Sequence, residues 1–482
     1  MSTFGHTVRR ALLAAAMGCA TGMSGLAVAQ DEPPATPIDR WAQAIADATV
    51  PRWTGPRVPW SAPSSRPASD GPAARSWTRP LAVHAEPGVS PARIERAVGA
   101  LERAHAWMDE RGWGVPYPDG GRGDTDGFDL YLSTDGVAAD EGSFELPRIT
   151  PGENEGRPER AIRIGWDVPI DGYALDGVTA FAELDARVGD DALEACVTSA
   201  YVQAVLAQLD PAEAPAWRRA TATWIAFELT GSLGCAEEAL AHAQEHPEQA
   251  LVDHAPPSGE AGAMLLAAIS ARHDGGSGDF VRDLWQGARQ WTWEGEGLRA
   301  EPDLWHAVVH FLGMSQHPLP RVVEEVAVAR WFTGSRAQAA GGALVRAIST
   351  EVRPHASVAW SSLPRTPIHG TPELGTHGSA YVLADVREAP AWSVLNVWLR
   401  AEFGAEWSMI AVRLDAAGRE LGRVRAPIRR EPRGFLPVEL REGTASVLVV
   451  VTNQGGAEID ADEPDPFVHG FRLALARGDT SR

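Results

Sequence analysis

The stretch Asp191–Gly231, DALEACVTSAYVQAVLAQLDPAEAPAWRRATATWIAFELTG, decides how the rest of the chain is read. Two apolar helical runs flank the proline-bearing turn Asp210-Pro-Ala-Glu-Ala-Pro215, and Gly231 closes the second run. Taken alone this is an amphipathic helix pair. Cys196, Ala200, Gln203, Ala204 and Ala207 fit any tightly packed helix of that kind.

A more specific reading comes from Trp217-Arg-Arg-Ala-Thr-Ala-Thr-Trp224. It resembles the W-x-E-x-T-A-x-W opening of the second active-site helix in secreted zincin-type metalloproteases. The family's HExxH motif then aligns with Ser199-Ala-Tyr-Val-Gln203. In that register the two histidine positions hold Ser199 and Gln203, the general-base position holds Ala200, and the third-ligand position holds Arg219. Histidines at i and i+4 reach one zinc ion from one helix face. The glutamate between them takes a proton from zinc-bound water. Ser and Gln are poor neutral zinc ligands, Ala accepts no proton, and Arg219 places a fixed positive charge where the cation would sit. The resemblance therefore implies a zincin scaffold with zinc as the family cofactor, and the residues here imply that neither zinc nor peptide hydrolysis is retained.

The flanking sequence fits the same resemblance. Leu81–His84, Phe128–Leu132, Ala161–Gly165 and Thr179–Asp185 read as strands, with a helix after Ser90-Pro91, an N-cap followed by proline at N1. Beyond the hairpin, Ala261–His273, Asp279–Arg289, Pro302–Leu312 and Arg321–Phe332 read as helices. The stretch Gly262–Gln286 resembles the segment that follows the family's active-site hairpin, and Val326–Gly334 the one that closes its catalytic domain. After Arg353-Pro354 the pattern changes to short alternating runs: Ser379–Val386, Val394–Ala401, Ser408–Leu414, Gly434–Leu440, Ser446–Thr452 and Phe467–Ala476. These predict an antiparallel β-sandwich. The expected fold class is α+β: a zincin-like domain over 78–350, small sheet first and then mostly helical, followed by a β-sandwich domain over 354–482.

The first residues read as a secretory signal over 1–29, with Arg9 and Arg10, an apolar run, and Ala27-Val-Ala29 as the cleavage site. Cys19 lacks the leucine that a lipoprotein box carries three residues earlier, so lipidation is not expected. A Pro-rich leader or linker is expected over 30–77. Export to the periplasm, cell surface or medium is the expectation, and the composition has the character of a high-GC bacterial gene. In such a compartment Cys196 and Cys235, at the two ends of an antiparallel hairpin, are expected to form a disulfide, with two buried thiols as the alternative. The net charge of −21 argues against nucleic acid and anionic membrane surfaces as partners.

Other constellations are weaker. His306-Ala-Val-Val-His310 has metal-ligand spacing but no glutamate beside the first histidine, and reads as an ordinary helix face. Asp124-x-Asp126-Gly127 echoes part of a calcium loop but reads as a surface turn. Asp460, Asp462 and Asp465 form the better calcium candidate, with a solvated acidic loop as the simpler reading. The 18 tryptophans are expected in cores. Three functions follow as expectations. The leading one is a non-catalytic pseudoprotease that binds a peptide or protein partner. The alternatives are a metal-dependent hydrolase relocated to His306 and His310, and a structural or carbohydrate-binding envelope protein acting through the sandwich.

Overall fold

The first sheet takes its shape from how completely its strands are covered. In a computed structural model of the chain, residues 66–67, 70–123, 125–134, 162–169, 178–210, 213–252, 258–288, 304–313, 315, 318–338, 342–368, 371–426, 432–455 and 468–478 are described. Strands β1 (Ala73–Arg75), β2 (Leu81–Ala85), β3 (Phe128–Ser133), β4 (Ile162–Pro169) and β5 (Val178–Asp185) form one sheet in the order β1-β2-β3-β5-β4. The β2-β3 and β3-β5 pairs are parallel, and both edge strands run antiparallel to their neighbours. Every residue of β2 and β3 is buried, as expected of parallel strands covered on both faces. Helix α1 (Pro91–Glu110) connects them; Ser90 Oγ caps it by accepting from the Arg93 N–H at 3.3 Å, and Ile94, Ala97, Leu101, Ala104 and Met108 face inward.

Packed structure begins earlier than the expected leader boundary at residue 77. Ala73–Arg75 is already strand β1, and Arg66 is inserted beside the sheet, donating to Asp129 at 2.5 Å and also to Asp119. His84 Nε2 meets the other Asp129 oxygen at 3.0 Å. Both carboxylates are fully buried, so the Arg66 guanidinium provides the charge compensation that burial demands. The Asp119–Gly127 turn is thus not a plain surface loop. A Cβ on Gly123 would lie 1.8 Å from the Asp129 carboxylate, which leaves room for glycine alone.

The helical part comprises α2 (Leu193–Leu209), α3 (Pro215–Thr230), α4 (Glu237–Glu245), α5 (Gly262–His273), α6 (Asp279–Ala288), α7 (Leu304–Gly313), α8 (Leu319–Trp331) and α9 (Ala343–Ala347). Helix α2 lies against β4 and β5, α3 packs on α2 and α5, and α8 leads to the second β structure.

There, β6 (Ala356–Ala359), β7 (Ser379–Asp385), β8 (Val394–Ala401), β9 (Glu406–Leu414), β10 (Glu420–Arg425), β11 (Arg433–Glu439), β12 (Ser446–Gly455) and β13 (Phe471–Gly478) form two sheets, β10-β9-β12-β7-β6 and β11-β8-β13. All pairs are antiparallel except β6-β7. Their facing sides share one apolar core that includes Val382, Val397, Leu399, Met409, Val449 and Leu473. The six expected strands are present. The two missed ones have weak patterns: β6 is four residues long, and β10, ELGRVR, is a charged edge.

The outer face of the five-stranded sheet is also covered. Val328, Trp331 and Phe332 pack on Tyr381, Ile410, Val412, Leu448 and Val450. This explains the uninterrupted apolar run in β12: a strand buried on both faces has no reason to alternate. The seam is hydrogen-bonded as well. Tyr381 Oη donates to the Ala327 carbonyl at 2.7 Å. Backbone N–H groups of Gly375 and Leu251 donate to the carbonyls of Glu248 and Thr376. A Cβ on Gly378 would lie 2.2 Å from the Glu248 carbonyl oxygen, so the two backbones meet directly. Arg330, wholly enclosed at this seam, donates to Gln244 Oε1 at 2.9 Å and to the Ala243 carbonyl; burial pulls its pKa down.

His355 completes the seam. Its Nδ1 accepts from the Tyr381 N–H at 3.1 Å, so Nε2 carries the proton and donates to Glu248 at 3.4 Å. Burial pushes the Glu248 carboxyl up, but hydrogen bonds from His355, its own backbone N–H and His246 outweigh it and hold the pKa below its ordinary 4.5. A depressed carboxyl stabilises the fold above its unfolded pKa, and that contribution disappears as pH falls through the folded value. Glu248→Gln is therefore expected to lower the melting temperature at neutral pH. In paired thermal melts, the difference from wild type should shrink to nothing as pH falls below 4.5.

Candidate functional site

The positions that the resemblance singles out sit on α2 and α3, whose burial is unusual. Of α2, only Glu194 and Gln203 escape full burial. A helix apolar on all sides belongs inside a protein, and α2 is enclosed by the sheet, α1 and α3. Helix α3 starts with Pro215 at N1 and stops at Gly231 in the left-handed region (φ 69°), and its residues Ala216–Phe227 are buried without a break.

The four singled-out positions lie at this interface. Gln203 Nε2 donates to Ser199 Oγ at 3.3 Å, so the two residues at i and i+4 close on each other along one helix face. Ala200 is completely enclosed. Arg219, buried on α3, stands 3.6 Å from Glu260 in the 3-10 turn Ser258–Ala261, near enough for charge pairing and too long for a hydrogen bond. That turn presses on α3 so closely that a Cβ on Gly259 would lie 2.9 Å from both Ala216 Cα and Arg219 Nε. A hydroxyl, a carboxamide and a guanidinium supply no anionic or imidazole donor, and Arg219 repels a divalent ion. These residues do not fit zinc.

The remaining residues of the α3 pattern have packing roles. Trp217 stacks on Trp305 of α7 with centroids 5.7 Å apart. Thr221 Oγ1 accepts from Trp285 Nε1 of α6 at 3.0 Å. Trp224 lies so close to the α5–α6 turn that a Cβ on Gly278 would approach its ring to 2.9 Å. Glu213, ahead of α3 and buried, accepts from the Leu304 N–H at 2.6 Å and so caps α7. Sequence reasoning missed both Glu213 and Glu260. Lone acidic residues in a turn carry no periodic signal.

Cys196 and Cys235 form a disulfide, with Cα atoms 5.2 Å apart, tying the first turn of α2 to the 3-10 turn after α3. Gly234 (φ 53°) makes the closure possible, since a Cβ there would lie 2.6 Å from the Ala195 Cβ.

Positions 306 and 310 fall on α7 one turn apart, but their side chains lie outside the described residues, as do Asp460, Asp462, Asp465 and Asp124. Among the described residues, no three His, Cys, Asp or Glu side chains come together as a metal site. No helix among them is long and apolar enough to cross a membrane. Compared with known proteins, the sequence matches no protein-family model and no curated protein.

The disulfide closes a loop with a sequence separation of 39, which chain entropy values at about 4 kcal/mol. A Cys196→Ala, Cys235→Ala variant is expected to lose stability of that order in urea unfolding while keeping its native circular dichroism. An unchanged midpoint would mean that the bond does not form in the purified protein.

Proposed function

We propose that the chain is a non-catalytic relative of the zincin-type metalloproteases, exported, and working by binding a peptide or protein partner on the retained scaffold. One observation carries this reading: the four positions that would do chemistry are engaged with one another or with neighbouring side chains. Ser199 and Gln203 share a hydrogen bond, Ala200 is sealed in, and Arg219 faces Glu260. The family pattern has divided by physical role. Trp217, Thr221 and Trp224, which pack, match it; positions 199, 200, 203 and 219, which would bind metal and move a proton, do not. Gln203 is the member of this group that reaches solvent, and it offers a partner a carboxamide able to donate and accept. The disulfide and the signal-like N-terminus support the exported location.

Metal stoichiometry by plasma mass spectrometry, on tag-free protein loaded with zinc and dialysed, tests the reading. Wild type is expected to retain no zinc. A Ser199→His, Gln203→His, Arg219→Glu variant, checked for native circular dichroism, is expected to retain about one ion per chain, because the restored donors form a three-ligand site. Tightly held zinc in wild type, or a folded variant that holds none, would overturn the assignment.

A further inference from the structure

The two sheets of the sandwich differ in what covers their outer faces. The five-stranded sheet is covered on its outside by α8, whereas β11, β8 and β13, as far as Ala476, alternate between buried residues and ones that reach solvent in part or fully. Leu436, Val438, Leu395, Val397, Leu399, Leu473 and Leu475 point into the core, and the residues between them face solvent. The strand register arranges those outward residues in three rows. Arg433, Arg400 and Arg472 form one; Phe435, Trp398 and Ala474 the next; Pro437, Asn396 and Ala476 the third. Rows lie about 7 Å apart along the strands, and neighbours within a row about 5 Å apart across them.

The first row works against the fold, and the second leaves large apolar area in solvent. Like charges directly opposite one another on a sheet are destabilising. Five arginines elsewhere on the exposed surface have carboxylates beside them: Arg187 with Asp185, Arg387 with Asp385, Arg419 with Asp415, Arg423 with Glu420, and Arg441 with Glu439. Among the described residues, Arg400, Arg433 and Arg472 have no such partner, in a chain whose net charge is −21. Trp398 and Phe435 lie against each other, centroids 5.3 Å apart and planes inclined by 33°, and remain 40% and 47% exposed. Ala474 and Ala476 keep the ground beside them low.

We propose that this face binds a polysaccharide bearing carboxylate groups, with a sugar ring on Trp398 and Phe435 and its carboxylates on the arginine row. The C–H face of a pyranose is apolar and flat, and matches an exposed aromatic ring on a rigid strand. A carboxylate one row away meets guanidinium groups able to hold it with paired hydrogen bonds. Asn396, on the far side of the ring, can donate to and accept from hydroxyls. The overall negative charge selects for sparse carboxylates. Duplex DNA carries one charge per about 1.7 Å and would be repelled by the rest of the surface, whereas a uronate polymer carries at most one per sugar. The assignment stands independently of the reading of the α2–α3 hairpin.

The intact protein is assayed by affinity electrophoresis and calorimetry against polygalacturonate, alginate and hyaluronate. Methyl-esterified pectin serves as the uncharged counterpart, poly-glutamate as an acidic polypeptide, and oligo(dT) as a nucleic acid. Binding to at least one uronate polymer, weakened by salt and absent for the methyl ester, is expected. Trp398→Ala should weaken it about tenfold, the loss of one stacking contact worth about 1.4 kcal/mol. Arg400→Gln with Arg472→Gln should weaken it comparably, and Arg387→Ala, away from the face, should leave it intact. Should Trp398→Ala fail to fold, the arginine pair decides. No binding to any uronate polymer, binding indifferent to these variants, or equal or tighter binding of poly-glutamate or oligo(dT) would overturn the assignment.

Discussion

Helix α2 has almost no solvent face, and the α/β part of the molecule is arranged around that constraint. An apolar helix enclosed on all sides needs three walls, which the first sheet, α1 and α3 supply. Helix α3 is then committed on one side to α2 and passes its own large side chains outward to α5, α6 and α7. The relay continues into the sandwich: Trp217 stacks on Trp305, and Trp305 approaches His377 with ring centroids 5.0 Å apart. Together with the seam of Trp331, Tyr381 and Arg330, this makes the sandwich a packed neighbour of the helices.

That arrangement bears on function. A metalloprotease site needs polar groups aimed into a cleft and held apart by the ion they share. Here Ser199 and Gln203 turn toward each other, and the helix keeps one solvent-reaching side chain in that region. The guanidinium of Arg219, poorly tolerated when buried without compensation, stands near Glu260. In the reading proposed above the hairpin serves as core rather than as a reaction centre, and recognition falls to Gln203 with its surroundings and to the outer face of β11-β8-β13.

Much of the fold was legible in the sequence wherever one physical signal dominated. The Ser90-Pro91 cap, the Gly231 stop and the alternation in β8 and β11 each reported an element directly, and hairpin geometry placed Cys196 opposite Cys235. Short or charged elements escaped, because β6, β10 and α4 carry too little apolar pattern to stand out. Arg66 escaped for another reason: nothing local marks an arginine in a Pro-rich stretch as the partner of Asp119 and Asp129, more than 50 residues on. The engaged state of the hairpin was legible in part. Residue identities at 199, 200, 203 and 219 argued against zinc, but the Ser199–Gln203 bond and the Glu260 partner are tertiary facts. The row of arginines beside Trp398 depends on the register of three strands, which no single strand encodes.

The proposed loss of chemistry means that this scaffold cuts no peptides. Its most direct test is cleavage of a diverse peptide library by the purified wild-type protein, read by mass spectrometry with and without a metal chelator. No products above those of a buffer control are expected in either condition. Products that appear without chelator and vanish with it would contradict it, and would redirect attention to α7 and positions 306 and 310.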